Sequence, residues 1–291
     1  MRDIGFIGVG AMGAPIAARL IDAGYRLTVY DTNPAALDAF RGRASVAKSP
    51  AGCAALDAVV VLVADAGQAK QVLLGEGGVV PALREKNASP QIVVMSTIHP
   101  DVVRELSQSL EGTDASLVDA PISGGIDGAA SGRLSVMVGG RAADVARSRA
   151  LLETIGHSVT HCGPLAAGMT TKILNNLIGV ANWLLMAEAM SLASRLGLDL
   201  AALAATMEQG SGRNIATGNW PARQASYARY VQDGALFASN NAICRKDLDL
   251  VLSLAESARV DMPVTQGLSS LVGETPWQAL QAAWSGLAPN S

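Results

Sequence analysis

The sequence predicts an α/β protein: an N-terminal doubly wound dinucleotide-binding domain, a long linking helix and a C-terminal all-α domain. Three observations lead there. Short apolar runs alternate with helical patterns up to about residue 162, which is the signature of a mostly parallel sheet. A Gly-x-Gly-x-x-Gly loop follows the first of these runs. After Gly163 and Pro164 the strand-like runs vanish and helical patterns fill the chain to about Trp284. The expected division is therefore 1–162 and 163–291.

The first strand is the apolar run Ile4–Ile7, and it leads straight into Gly8, Gly10 and Gly13, with Val9, Ala11 and Met12 between them. A helical apolar pattern (Ile16, Ala17, Leu20, Ile21) follows over 14–23. A second strand, Leu27–Tyr30, ends in Asp31, about 20 residues beyond the loop, as a dinucleotide site requires. Gly8 permits the tight turn, Gly10 lets a pyrophosphate approach bare backbone, and Gly13 lets the helix sit close to the strand. The positive end of the helix then faces the phosphates. Asp31 can accept hydrogen bonds from both ribose hydroxyls and would repel a 2′-phosphate. Thr32, Asn33 and Pro34 follow it, with no Arg to clamp such a phosphate, so NAD is favoured over NADP. Asp31 also stands where it could cap a helix beginning at Pro34.

Further strands are expected at Val46–Ala47, Val59–Val63, Ile92–Met95, Ser116–Val118, Val136–Val138 and Val159–Thr160. Ligands of such sheets sit at the carboxyl ends of the strands, here Ala64-Asp65, Ser96-Thr97 and Asp119-Ala120-Pro121. The first helix beyond them runs from Ala166 to about Leu196, with Gly197 as its stop. Ala288 to Ser291 read as a frayed end.

Composition narrows the function. The chain has 291 residues and a net charge of −3, with 16% charged residues and no block of like charge. That argues against a nucleic-acid groove or a membrane-surface patch. The apolar stretch Ile173–Ala187 reads as too short to cross a bilayer and carries Asn175, Asn176 and Asn182. Asp3 interrupts the apolar start, so the N-terminus is not read as a signal peptide. The 49% hydrophobic content points to apolar surface buried between subunits, hence a homodimer or homotetramer. Leu184, Leu185, Met186 and Met190 of the long helix are candidates for that contact. Cys53, Cys162 and Cys244 have no metal-ligand spacing and form no even set. A reducing cytoplasm and no metal site are expected.

Three blocks carry candidate chemistry. Asp119 to Gly140 reads DAPISGGIDGAASGRLSVMVGG, with six glycines. Ser123, Gly124 and Gly125 offer one hydroxyl and unhindered N–H groups, a small nest for a carboxylate or simply a set of tight turns. In GMTTKILNN, Lys172 stands three residues from Asn175 and four from Asn176, so one helix face carries all three. Polar groups in so apolar a helix need partners, and a substrate can be one. The third block is Arg245-Lys246-Asp247-Leu248-Asp249. Here Lys246 either pairs with Asp249 in a surface ladder or turns toward cofactor and substrate.

Together with the opening GFIGVGAMGAPIAARL, these blocks make the chain resemble the β-hydroxyacid dehydrogenase family over nearly its whole length. The family includes 3-hydroxyisobutyrate dehydrogenase, tartronate semialdehyde reductase and the short glyoxylate/succinic semialdehyde reductases. The resemblance implies Lys172 as catalytic lysine and Asn176 as its partner amide. It implies Ser123, Gly124, Gly125 and Asn175 around the substrate carboxylate. Thr97 and Lys246 would border the nicotinamide, and Val63, Ala64 and Asp65 its ribose. Arg213, in the segment 210–217, would face a second anionic group of the substrate; that segment matches no single member's signature. The implied activity is hydride transfer between NAD, or NADP, and a small 3-hydroxy acid or semialdehyde. The alternatives are an NADPH-dependent semialdehyde, glyoxylate or imine reductase, and a non-catalytic nucleotide-binding module.

Overall fold

A computed structural model describes residues 1–287, and the expected frayed end at Ala288–Ser291 lies outside them. Among the described residues nine strands form one sheet. They are β1 (Asp3–Ile7), β2 (Arg26–Tyr30), β3 (Ser45–Val46), β4 (Ala58–Val61), β5 (Gln91–Val94), β6 (Ser116–Asp119), β7 (Ile122–Ser123), β8 (Leu134–Gly139) and β9 (Gly156–Gly163). The spatial order is β3-β2-β1-β4-β5-β6-β8-β7, with β9 beside β8. From β3 to β6 every pairing is parallel. The order reverses between β1 and β4, and a crevice opens there beyond the strand ends.

The expectation of a mostly parallel sheet holds for these six strands, while β8 runs antiparallel to both β6 and β7. The reason is length. The link from Ser123 to Leu134 holds the short helix Gly125–Ser131 and little else, which is too short for a parallel crossover. The two-residue strand β7 is missing from the sequence reading, since two residues carry no periodicity.

Central strands β4 and β5 are buried at every position, as parallel strands covered on both faces must be. One apolar cluster, with Phe6, Ile16, Leu20, Val29 and Val93, fills one face of the sheet. Another, with Ile7, Val59, Leu73, Leu83 and Ile92, fills the other. Cys53 is fully buried, and its thiol is pushed up to about 12 by burial, so it serves as a small apolar residue.

The chain divides into two compact units, Met1–Lys172 and Ile173–Ser291. The division falls inside the helix Ala167–Arg195, and Gly197 just beyond it turns the chain with φ of +76°. Among the described residues five further α-helices follow: Leu200–Gln209, Trp220–Gln232, Gly234–Ala258, Pro263–Glu274 and Trp277–Ala283. Asp199 and Asp233 cap two of them by accepting N–H groups of the first turn. The core of this second unit is aromatic: Trp284 meets Trp183 edge-on with ring centroids 4.5 Å apart and Phe237 at 5.1 Å.

The long helix matches its expected span of 166–196 to within a residue at each end. At 29 residues it is long and apolar enough to cross a bilayer by length and composition, which the stretch Ile173–Ala187 read alone was too short to do. Part of it is instead core: Ala187 and Met190 are fully buried among the unit's own helices. Leu184, Met186 and Met190 are likewise used inside the chain, and of the four residues offered for subunit contact only Leu185 is exposed. The helix turns Leu184 and Leu185 to different sides, a distinction that apolar character alone cannot make.

Candidate active site

The glycine loop has the geometry its spacing foretells. Gly8 adopts φ of +96°, and a Cβ there would lie 2.1 Å from the carbonyl oxygen of Leu62. A Cβ at Gly13 would come within 1.9 Å of the Gly8 carbonyl oxygen, so the helix Gly13–Asp22 sits on the loop itself. Gly10 is exposed and a Cβ there would meet nothing within 4 Å. That is bare backbone facing open space, at the N-terminus of a helix, where a pyrophosphate can lie. Ala11 is exposed beside it and Met12 is half-buried.

Asp31 is fixed from both sides. Its carboxylate accepts the Val9 N–H at 2.8 Å and the Asn33 N–H at 2.8 Å, tying the loop to the end of β2. Val9 buries its side chain in the core and spends its N–H on Asp31. The helix cap is Asn33, which accepts the Ala35 N–H at 3.1 Å. Asp31 is thus not the cap: Pro34 opens the helix, so the residue just before it takes the cap position. A cavity of about 430 Å³ opens here, lined among others by Gly8, Gly10, Asp31, Val63, Ala64 and Gln68.

Val63 lies just past β4, and its N–H donates to the buried Ser96 hydroxyl at 2.7 Å. Ser96 therefore sets this rim from the end of β5, with half-buried Thr97 next in line. Ala64 N–H donates to the Gln68 side chain at 3.1 Å. Asp65 caps the helix Ala66–Leu74 by accepting the Gln68 N–H at 2.8 Å. The sequence reading named Ser96 at a strand end without this supporting role and missed Gln68, which lies within the helix Ala66–Leu74.

Ser123 ends β7 half-buried and pairs with Ser135. Gly124 and Gly125 follow with φ of +134° and +67°, two consecutive left-handed positions that expose their backbone. Lys172 is 8% exposed in the second turn of the helix Ala167–Arg195. That helix begins on Asp119: the N–H groups of Ala166 and Met169 donate to its two carboxylate oxygens at 2.7 Å each. Asp119 is fully buried, and burial pushes its carboxyl up from the ordinary value against the pull of those N–H groups.

In the second unit, the Asn176 side-chain amide donates to Asp247 Oδ2 at 2.7 Å. A carboxylate only accepts, so the contact turns the Asn176 amide oxygen away from Asp247. Exposed Asn175 donates to that oxygen at 3.5 Å. Asp247 is 7% exposed; its Oδ1 makes no hydrogen bond among the described residues, and Lys246 Nζ stands 3.4 Å from it as an ion pair. Lys246 thus pairs with Asp247 and not with Asp249. Sequence reasoning gave Asp247 no role, although it sits on the apolar stripe of Cys244, Leu248 and Val251, where a carboxylate is a buried charge. Arg213 is exposed and ion-paired to Glu208 at 3.0 Å. The Thr217 hydroxyl donates to the other oxygen of Glu208, folding the segment 210–217 back onto the preceding helix.

A mostly parallel sheet in this order, with a glycine loop at its crevice and an acid at the end of β2, is the arrangement of a dinucleotide-binding protein. Residues 3–163 match the NAD-binding domain of 6-phosphogluconate dehydrogenase, and residues 166–284 match the NAD-binding domain of NADP-dependent 3-hydroxyisobutyrate dehydrogenase. The 3-hydroxyisobutyrate dehydrogenase of Pseudomonas aeruginosa is 35% identical, over 91% of this chain and 89% of that one. The NAD-dependent L-serine dehydrogenase of the same organism is 32% identical, over 91% and 89%. The crystal structure of a 3-hydroxyisobutyrate dehydrogenase from Salmonella typhimurium aligns with a TM-score of 0.76 at 26% identity, covering 97% of this chain and 99% of that one. The chain belongs to the β-hydroxyacid dehydrogenase family, NAD(P)-dependent oxidoreductases of small hydroxy acids.

Proposed function

We propose that this enzyme catalyses reversible NAD-linked oxidation of a small 3-hydroxy acid, or reduction of the matching semialdehyde, with Lys172 as proton carrier. One observation carries the reading. Lys172 is an amine buried to 8% exposure, on a helix whose start is bonded to the strand that leads into Ser123-Gly124-Gly125. When bound, the dinucleotide supplies the hydride acceptor or donor. The chain's task is to orient the substrate and move one proton. Lys172 takes the proton from the hydroxyl in oxidation and returns it in reduction. Asn176, its amide set by Asp247, orients that hydroxyl without adding charge. Ser123, Gly124, Gly125 and Asn175 hold the carboxylate. Thr97 and Lys246 border the nicotinamide, with Val63, Ala64 and Asp65 at its ribose. Arg213 would meet a second anionic group only by leaving Glu208. Asp31 gives the preference for NAD over NADP, and 3-hydroxyisobutyrate and L-serine, named by the relatives, head the candidate substrates.

The same proposal assigns residues 1–162 to the cofactor and 163–291 to substrate and assembly, in a cytoplasmic homo-oligomer. Supporting assembly, Leu174, Ile178, Leu185 and Leu192 are all exposed, and their spacing draws one apolar stripe along the long helix, continued by exposed Leu196 just past its end.

The test is Lys172→Ala, assayed against a panel of 3-hydroxy acids with NAD and NADP at equal concentration. Turnover should fall by about 10²–10⁴-fold with NADH affinity unchanged. Turnover close to that of the unaltered enzyme would remove Lys172 from the chemistry.

A further inference from the structure

We infer that Asp119 is a positioning residue for Lys172, its buried carboxylate fixing the start of the lysine helix to the strand that feeds the Ser123-Gly124-Gly125 loop. The inference rests on the reading of Lys172 as proton carrier.

A carboxylate with no exposure at all is an expensive way to fill space, since burial disfavours the charge that makes it useful. Its oxygens are directed at one structure. Oδ1 accepts the Ala166 N–H and Oδ2 the Met169 N–H, both at 2.7 Å. These are the residue before the helix and a residue of its first turn, where N–H groups lack partners within the helix and the dipole favours an anion. Asp119 therefore does from another element what a capping side chain does from its own.

The surroundings are shaped around this contact. A Cβ at Gly139 would lie 2.4 Å from Asp119 Oδ1, and one at Gly168 would lie 2.9 Å from Oδ2. Ala166 is held at φ of +74°, a left-handed conformation that a residue with a Cβ adopts only when its neighbours impose it. Its N–H is one of the two that Asp119 binds. Lys172 follows Met169 by three residues, one turn further along, so a shift or rotation of the helix start is transmitted directly to the amine. Four residues after Asp119 along the chain stands Ser123. One carboxylate thus sets the distance between the loop assigned to the substrate carboxylate and the group assigned to the proton. An angstrom of error there suffices for a large loss of rate.

The experiment compares Asp119→Asn with Lys172→Ala in the full-length, cofactor-bound protein. Asn keeps the shape and one acceptor, but its NH2 must face an N–H donor. Three quantities are read: NADH affinity, turnover per NADH-binding site, and hydrogen exchange of the backbone amides of residues 166–172. Asp119→Asn should bind NADH within about twofold of wild type. It should lose at least about tenfold in turnover per site, and exchange over 166–172 should quicken by a similar factor while β1 and β4 stay protected. A role in stability alone would lower the number of competent sites and leave turnover per site unchanged, and that result overturns the inference. Should Asp119→Asn fail to fold, Gly168→Ala answers the same question, because its methyl pushes the helix start off an intact Asp119; unchanged turnover per site there overturns the inference equally. If Lys172→Ala stays active, the proton-carrier reading has failed. If Lys172→Ala is inactive while Asp119→Asn works at the wild-type rate with wild-type protection, only the positioning role has failed.

Discussion

The two units of this enzyme build their functional surfaces from different materials. In Met1–Lys172 the crevice proposed for the cofactor is made largely of backbone: glycines at 8, 10 and 13, amide N–H groups, and strand ends whose positions follow from sheet order. In Ile173–Ser291 the groups proposed to act are side chains on helices, set by other side chains, as Asp247 sets Asn176. The cores differ in the same way. The first is mainly aliphatic, with Phe6 and Phe40 among it, and is folded around a sheet, while the second turns on Trp183, Tyr227, Phe237 and Trp284. Apolar exposure also divides unevenly: among the described residues, eleven of the fourteen exposed large hydrophobic residues belong to the second unit. A backbone-built site tolerates sequence drift around a few glycines. A side-chain-built site depends on every neighbour that aims it.

The comparison can be broken by substitution. Trp284→Ala should have the largest effect on stability, about 3–5 kcal/mol, because an aromatic ring 1% exposed leaves a void where three others meet it. Chemical denaturation should show the loss, and a change below about 1 kcal/mol would mean the aromatic cluster is not the keystone of its unit. Gly13→Ala should cost about 1–3 kcal/mol, since its methyl meets a carbonyl oxygen that cannot retreat. Gly10→Ala is the sharper half of that pair. It should leave the cofactor-free protein as stable as before and weaken NADH binding by about tenfold, one lost or displaced phosphate contact. Equal loss of stability from both glycines would erase the distinction between a packing glycine and a ligand glycine.

On the second unit, Leu185→Asp combined with Leu192→Asp should leave folding intact and shift the particle toward a monomer, read by light scattering. An unaltered mass would separate the exposed stripe from assembly. The smallest effect is expected at Asp57, whose carboxyl is held below its ordinary value of 3.8 chiefly by the Arg2 and Asp3 N–H groups. A depressed carboxyl contributes stability above 3.8 and loses it as pH falls through the folded value. Asp57→Asn should therefore flatten the acid limb of the thermal midpoint while mattering little near neutrality.

What could be read in the chain follows the same division. The order Ile4–Ile7, glycine loop, helix, Leu27–Tyr30 and Asp31 was legible because each step is local: period, turn and spacing within about 30 residues. The long helix and its stop at Gly197 were legible for the same reason. The antiparallel course of β8 was not, because it depends on a link too short to cross over. Nor was the choice between Leu184 and Leu185, identical in character and opposite in exposure.

The sequence by itself therefore determined the class of fold, the family and the cofactor loop, because those rest on short-range backbone geometry and on motifs contiguous in the chain. Only the tertiary structure decided that Asp119 reaches Ala166, that Asp247 holds Asn176, and that Glu208 holds Arg213. The first two contacts join residues 47 and 71 positions apart, and the third closes a loop that no period describes. A charge's partner is chosen by proximity in space and by the exclusion of water, and neither is written in the order of the residues.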